Sequence, residues 1–178
     1  MINRNINTLE INNNSKKYFD NSQNNKMNCA EGQTFPCDYF VNLQIKKEFQ
    51  PFIQETFYTS IGIFKNIGDD NLSCLPPHID SVRTLNLNYI ISEGGENVLT
   101  TMYKTDIPKV TKNMLQMESY QNLEIDFSVK TIANNWYAMD IQNYHSVDNI
   151  ENERVILSIS FSHINYDYFK NKYEHLFY

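Results

Sequence analysis

Residues 154–161 read Arg-Val-Ile-Leu-Ser-Ile-Ser-Phe, and this stretch alternates between two kinds of side chain. The odd-numbered positions are all apolar: Val155, Leu157, Ile159 and Phe161. The even-numbered positions are mostly polar: Arg154, Ile156, Ser158 and Ser160. Because successive side chains of a β-strand point to opposite faces, the stretch predicts a strand with one apolar and one largely polar face.

A second stretch, 83–91, alternates in the same way. Its apolar side chains are Leu85, Leu87, Tyr89 and Ile91, and its polar ones include Asn86 and Asn88. Polar strand faces opposite apolar packing predict a wet cavity inside a two-layer protein. The alternative is an antiparallel sheet whose polar face meets solvent.

Further short strands are predicted at 58–67, 98–103, 123–129 and 136–141. We expect residues 92–95, which include Gly94 and Gly95, to close a hairpin into 98–103. Helices are expected before about Gln50, around 113–117 in the excursion 105–122, and at the tail through Phe169, Tyr173 and Leu176. A mainly β protein with flanking helices is typical of a sandwich or an open barrel.

The 178 residues, of which 41% are hydrophobic, suffice for one domain with a core. Residues 1–34 are rich in Asn, Ser and Lys, so we expect an irregular segment there that contributes at most one short edge strand. The domain itself is expected to span 35–178.

The net charge and the cysteine content limit the partners and the cell compartment that we expect for the protein. A net charge of −6 argues against nucleic acid as the partner. The three cysteines form no CxxC pair, which fits a reducing compartment. The sequence has no apolar signal-type start and no membrane-length apolar run. We therefore expect a soluble, intracellular (cytoplasmic) protein.

The pentapeptide Pro76-Pro77-His78-Ile79-Asp80 has the chemistry of a metal site. On a strand, His78 and Asp80 project to the same side. A second histidine, such as His145, would complete a 2-His-1-carboxylate triad of the kind that suits Fe(II). Arg154 follows His145 by nine residues, and a guanidinium there suits bidentate capture of a carboxylate.

This ordered set resembles the Fe(II)/2-oxoglutarate-dependent dioxygenases, most closely their prolyl-hydroxylase-like branch. The resemblance covers about residues 58–161 and implies a double-stranded β-helix (jelly-roll, cupin-like). It implies that His78, Asp80 and His145 are catalytic iron ligands and that Arg154 binds the far carboxylate of 2-oxoglutarate. It also implies that O2 is consumed, that 2-oxoglutarate is decarboxylated to succinate and that a C–H bond is hydroxylated.

The sequence departs from the family pattern near Arg154. Many members have Ser or Thr two residues after the arginine, where this chain has Ile156, so Ser158 is the nearest hydroxyl on that face. Tyr89 is expected to point away from the cavity, which leaves Asn88 and Asn86 as candidate cosubstrate contacts.

Other interpretations stay open at this stage. His78 and Asp80 alone would fit a surface turn, and Arg154 would fit a salt bridge with Glu151 or Glu153. A cupin-type metalloenzyme that does not use 2-oxoglutarate and a non-catalytic jelly-roll module are the competing classes. The substrate is expected to be a protein side chain or a small molecule, and 105–122 is a candidate lid.

Overall fold

The computed structural model describes residues 32–36, 47, 53–64, 75–80, 82–104, 115–117 and 122–173. The strands are β1 (Gly32–Pro36), β2 (Tyr58–Phe64), β3 (Leu75–Asp80), β4 (Leu85–Glu93), β5 (Leu99–Lys104), β6 (Leu115–Met117), β7 (Glu124–Val129), β8 (Trp136–Met139), β9 (His145–Asp148) and β10 (Arg154–Phe161). The helix α1 follows at Tyr166–Tyr173.

The strands form two five-stranded sheets, and neighbouring strands pair antiparallel. The first sheet has the order β1-β2-β10-β4-β8, and the second has the order β6-β3-β9-β5-β7. Along the chain, β2 to β5 alternate between the sheets, and β7 to β10 alternate again. This double winding is a double-stranded β-helix (jelly-roll, cupin-like), so the predicted fold class is confirmed.

The main apolar core lies on the outer face of the first sheet. Its buried residues come from β2, β4, β8, β10, α1 and the segment before β2, and none comes from the second sheet. They include the predicted apolar faces Leu85, Leu87 and Tyr89 and Val155, Leu157, Ile159 and Phe161. The helix α1 covers this face through Phe169 and Tyr173, which confirms the predicted tail helix over these residues. Leu176 lies outside the described residues.

The polar faces of β4 and β10 are buried between the two sheets. Ser158 Oγ donates to Asn88 Oδ1 at 2.7 Å, and Ser160 Oγ donates to Asn86 Oδ1 at 2.7 Å. Each of these side chains is buried, so the polar faces do not meet solvent. The predicted polar interior is therefore confirmed, and cross-strand hydrogen bonds satisfy part of its polarity.

Two local predictions were wrong. Residues 115–117, expected to be helical, form the strand β6, in which Met117 pairs with His78 and Leu115 pairs with Asp80. The spacing of apolar residues within one segment cannot reveal this strand pairing, because the partner strand β3 is distant in sequence. Residues 92–95 do not close a hairpin either. Positive φ angles at Gly94 and Gly95 turn the chain from β4 in the first sheet to β5 in the second.

Several expectations fall on residues that the structure does not describe, among them most of the helix before Gln50 and most of 105–122. The edge strand β1 crosses the expected boundary at residue 34, and the division into 1–34 and 35–178 stays a prediction. Among the described residues, no helix has the length and apolarity that crossing a membrane requires.

Candidate functional site

The structure brings His78 and His145 together between the sheets. Strands β3 and β9 pair antiparallel with these two histidines directly opposite each other. Their ring centroids lie 4.2 Å apart, and each residue is 5% exposed. Two buried imidazoles in this relation can donate nitrogen ligands to one ion.

The second ring nitrogen of His145 has a defined partner. Nδ1 lies 3.0 Å from the carbonyl oxygen of Asn143, so a proton on Nδ1 donates to that oxygen and leaves Nε2 as the free lone pair. Burial, together with the neighbouring His78, lowers the pKa of His145 to about 3. The imidazole is therefore neutral at pH 7, which is the form that binds metals.

Asp80 lies on the same face of β3 as His78, and it is 5% exposed. Arg83 Nη2 donates to Asp80 Oδ2 at 2.6 Å. The Asp80 main chain is also fixed, because its N–H donates to Ile141 O and its carbonyl accepts from Gln142 Nε2. Sequence reasoning missed Arg83, for which the only signal was a cation three residues after Asp80.

Within the described ranges, no three or more His, Cys, Asp or Glu side chains are placed so that they could hold a metal ion together. The three predicted ligands nevertheless supply two imidazoles and a carboxylate on one buried face, the donor set that suits Fe(II). Completing the triad therefore requires side chains to reorient, among them Asp80, whose carboxylate accepts a hydrogen bond from Arg83. Metal-bound carboxylates commonly keep a hydrogen-bond donor of this kind.

Arg154 is buried at the start of β10, with 3% of its surface exposed. Its Nη1 donates to Glu93 O at 2.9 Å, and its Nη2 donates to Thr131 Oγ1 at 2.8 Å. Glu151, one of the two carboxylates in the alternative salt bridge, accepts from Glu96 N and Asn97 Nδ2. Burial lowers the pKa of Arg154 to about 10, so the group is still a cation at pH 7. Both described hydrogen-bond partners of this cation are neutral, while Glu93 and Tyr137 lie near enough to favour its charged form.

A cavity of about 250 Å³ lies between the sheets. The residues that line this cavity come from both sheets and from the loops beside them, and they are Thr100, Met102, Tyr103, Asp126, Phe127, Val129, Thr131, Tyr137, Ala138, Met139, Asp140, Asn143 and Tyr166. Met102 is the register partner of His145, and Thr131 accepts the hydrogen bond from Arg154. The cavity therefore borders the neighbour of the histidine pair and the partner of the buried arginine, but His78, Asp80, His145 and Arg154 are not among its lining residues.

Two buried hydroxyls have no hydrogen-bond partner among the residues described. They are Thr100 Oγ1, in the cavity wall, and Ser60 Oγ, on β2. Buried polar atoms in native proteins are nearly always satisfied by protein, water or ligand. Thr100 Oγ1 therefore marks a point in the cavity where a bound molecule or water can form a hydrogen bond.

The predicted auxiliary residues do not line this cavity. Asn88 donates from Nδ2 to Met139 Sδ at 3.1 Å and accepts from Ser158, so it lies behind a lining residue. Asn86 is held by Ser160. Their predicted contact with 2-oxoglutarate stays a prediction. Tyr89 points to the outer core, as expected, where its ring lies 5.2 Å from that of Trp136.

Sequence reasoning missed Thr131 and Tyr137, which line the cavity near Arg154. Thr131 is 3% exposed although it lies between residues that are exposed, and Tyr137 accepts the Ile132 N–H at 2.8 Å. Tyr137 follows Trp136 on β8 and thus faces inward where Trp136 faces the outer core. Because Thr131 lies in a loop, no alternation of side chains along a strand could identify it as a site residue.

No protein-family model and no curated protein matches the chain. Solved structures with similar folds include E. coli ycfD (12% identity, TM-score 0.46), an oxalate oxidase in complex with the substrate analogue glycolate (13%, 0.43) and hydroquinone 1,2-dioxygenase PnpCD in complex with Cd2+ and 4-hydroxybenzonitrile (10%, 0.41). The matches cover 72%, 75% and 58% of this chain, respectively. They cover 32%, 52% and 57% of the other chains, so this chain spans about a third to about half of their length.

Proposed function

We propose that this protein is an Fe(II)- and 2-oxoglutarate-dependent oxygenase that hydroxylates a C–H bond of a protein side chain or a small molecule. The supporting observation is the cavity between the sheets. It borders the neighbour of a buried histidine pair and the partner of a buried arginine. A cosubstrate with a chelating group at one end and a carboxylate at the other matches these two groups.

The metal ligands in this proposal are His78, His145 and Asp80. Fe(II), when bound, supplies the redox chemistry that couples O2 and the decarboxylation of 2-oxoglutarate to hydroxylation. The chain fixes the two histidines beforehand. The β3–β9 ladder sets the spacing of the two imidazoles, and Asn143 O fixes the His145 tautomer.

Arg154 in this proposal binds the far carboxylate of the cosubstrate. Its guanidinium offers charge-assisted donors, and Thr131 Oγ1 lies 2.8 Å from its Nη2, within reach of the same anion. Thr100 Oγ1 adds a hydroxyl that has no partner among the described residues. Thr131 and Thr100 thus add candidate cosubstrate contacts to those predicted for Asn88, Asn86 and Ser158.

The rest of the cavity wall is mainly apolar. Met102, Phe127, Val129 and Met139 provide apolar contacts for a bound molecule, and Asp126, Asp140 and Asn143 provide polar ones.

A second candidate is a metalloenzyme on the same fold that does not use 2-oxoglutarate. One observation favours it: both described bonds of the Arg154 guanidinium join parts of the chain, linking β10 to the end of β4 and to Thr131. An arginine with only this role is a structural anchor, and the cavity would then bind the substrate alone.

The test measures Fe(II) binding and succinate formation under the same conditions. Protein purified anaerobically is titrated with Fe(II), then given 2-oxoglutarate and O2. We expect one Fe(II) per chain and iron-dependent succinate, with both lost in His78→Ala and in His145→Ala. The matched control is His163→Ala, because His163 is exposed and outside the site.

Iron bound without succinate would favour the second candidate. Full iron occupancy in the double variant of His78 and His145 would refute both candidates, because each needs the histidine pair. Other divalent metals are tested in parallel, since raw affinity often favours Ni(II) or Zn(II) over Fe(II).

A further inference from the structure

The turn between β8 and β9 spans residues 140–143 and is held together by its own polar groups. The carboxylate of Asp140 accepts from Gln142 N through Oδ1 at 3.1 Å and from Asn143 Nδ2 through Oδ2 at 2.8 Å. The main-chain N–H of Asn143 also donates to Asp140 O at 3.3 Å. Because an aspartate that bonds the residues after it is a common way to stabilise a turn, these contacts set the shape of the 140–143 turn.

One side of the 140–143 turn holds His145. Asn143 O lies 3.0 Å from His145 Nδ1, the contact that fixes the tautomer of this histidine. The intervening residue Tyr144 is fully buried, and its carbonyl accepts from Tyr103 N at 3.0 Å. The start of β9 is therefore fixed both to the turn and to the neighbouring strand β5.

The other side of the 140–143 turn holds the main chain at the end of β3. Asp80 N donates to the carbonyl oxygen of Ile141 at 3.1 Å. The side chain of Gln142 donates from Nε2 to two further main-chain oxygens, Asp80 O at 3.2 Å and Arg83 O at 3.0 Å. An amide nitrogen carries two hydrogens, so it can serve both acceptors. Gln142 thus links the end of β3 to Arg83, which lies between β3 in the second sheet and β4 in the first.

The two residues that Gln142 holds are also the two partners of one ion pair. Arg83 Nη2 donates to Asp80 Oδ2 at 2.6 Å, and the Asp80 side chain has to reorient to complete the metal triad. Because Gln142 holds the main chain of both partners, this reorientation involves side-chain torsions while the main chain stays in place. A ligand on an ordered main chain loses less conformational entropy on binding a metal than a ligand on a loose one.

We propose that the 140–143 turn is the shared support of the metal ligands Asp80 and His145 and that Gln142 is the positioning residue for Asp80. The turn orients His145 through Asn143 O, and it places the main chain of Asp80 through the Gln142 amide. This inference rests on the metal site of the proposed function, but it does not depend on the use of 2-oxoglutarate. Gln142 does not touch the metal and acts only through Asp80.

The test compares the metal affinity of the wild type with that of Gln142→Met. Methionine has a side chain of similar length and removes the amide donor. The Kd is measured by calorimetric titration, with Fe(II) under anaerobic conditions and with Ni(II) as a metal that is stable in air. Loss of an outer contact to a ligand typically lowers metal affinity 10- to 100-fold, so the Kd for either metal should rise by at least about tenfold.

The matched control is Asn135→Leu, which removes an amide of the same kind at another place. Asn135 is partly buried, as Gln142 is, and its Nδ2 also donates to two main-chain oxygens, Ile132 O at 3.5 Å and Ala133 O at 3.0 Å. These acceptors lie in the loop before β8 and belong to no predicted ligand. The control should therefore keep both Kd values within about twofold of the wild type. Melting temperatures establish that both variants are folded.

A double-mutant cycle with Asp80→Ala separates positioning from general support of the fold. The two histidines remain as ligands in Asp80→Ala, and adding Gln142→Met should change its Kd for Ni(II) by less than about twofold. Adding Asp140→Ala should still raise the Kd, because the turn also orients His145. A general loss of stability would instead weaken metal binding equally with and without Asp80.

Three results would overturn the inference: an unchanged or lower Kd in folded Gln142→Met, the same rise in Kd with and without Asp80, or an unchanged Kd in Asp140→Ala. Metal binding without succinate formation in the wild type would refute the proposed oxygenase and leave the role of Gln142 intact. Succinate formation together with an unchanged Kd in Gln142→Met would refute the positioning role alone. A wild type that binds neither metal would refute both.

Discussion

Replacing Arg154 separates the two candidate functions, because one requires its charge to bind a cosubstrate and the other requires only its structural bonds. In Arg154→Ala the protein interior loses a buried cation, and Glu93 O and Thr131 Oγ1 lose their donors. The histidine pair on β3 and β9 is untouched. Iron binding should therefore persist while 2-oxoglutarate binding weakens.

The size of the effect follows from the bonds involved. A charge-assisted hydrogen-bonded contact contributes about 1.5–3 kcal/mol, which corresponds to an increase of about 10- to 150-fold in the Kd for 2-oxoglutarate. The variant also leaves the Thr131 hydroxyl, which is 3% exposed, without its donor. That should lower the free energy of unfolding by about 1–3 kcal/mol.

Binding is measured by calorimetric titration of 2-oxoglutarate into the metal-loaded, anaerobic protein, and KM from succinate release. Urea unfolding gives the stability of the same sample. Arg154→Lys retains the charge but loses the bidentate donor geometry of the guanidinium, so the Kd of this variant for 2-oxoglutarate should lie between those of the wild type and Arg154→Ala. Lys170→Ala, on the exposed side of α1, removes a distant cation and controls for net charge.

An unchanged Kd for 2-oxoglutarate in a folded Arg154→Ala variant would refute the role of Arg154 in cosubstrate binding. If stability fell in that same sample, Arg154 would be assigned to the structural link between β10, Glu93 and Thr131. Loss of iron together with 2-oxoglutarate binding would instead show that the substitution disrupts the whole interior.

Three further predictions concern stability in urea unfolding. Leu157→Ala should lower the free energy of unfolding by about 2–5 kcal/mol, because Leu157 is fully buried in the outer core. In the metal-free protein the pKa of His145 is about 3 when folded and about 6.5 when unfolded, so the unfolded state binds the extra proton between these values. The free energy of unfolding should therefore fall below pH 6.5 by at most about 1.4 kcal/mol per pH unit. His145→Gln should remove this part of the pH dependence, and the same pH dependence in the variant would contradict the assignment to His145. Gly94→Ala should cost about 1–3 kcal/mol, because Gly94 has φ +85° and an added Cβ would lie 2.6 Å from Arg154 Cβ.

The fold could be predicted from the sequence to the extent that it depends on period-two alternation. Residues 154–161 form β10 with the predicted bounds, and its two faces separate into the outer core and the interior as their polarity indicated. The pairing of strands was harder to predict. β6 is recognised only through its ladder with β3, and the Gly94-Gly95 turn leads to the other sheet although its sequence is typical of a hairpin.

The site residues likewise divide into those that the sequence could predict and those that it could not. The resemblance to the 2-oxoglutarate-dependent dioxygenases implied that His78 and His145 lie close together, and the structure places them opposite each other. The acceptor of His145, the ion pair of Arg83 with Asp80 and the Thr131 partner of Arg154 could not be predicted. Each depends on a turn or loop whose position is set by the packing of the whole sandwich, and such contacts leave no periodic pattern in the sequence.

The location of the core explains how the interior remains available for chemistry. A sandwich usually obtains its stability from apolar side chains between its two sheets. Here the apolar residues of β2, β4 and β10 face outward, where α1 and Ile53 and Phe57 cover them. Because burial on that side stabilises the fold, the inner faces can hold polar pairs, two histidines and an arginine. Apolar-to-alanine substitutions in the outer core should therefore reduce stability far more than cosubstrate affinity, whereas Thr100→Val in the cavity wall should do the reverse.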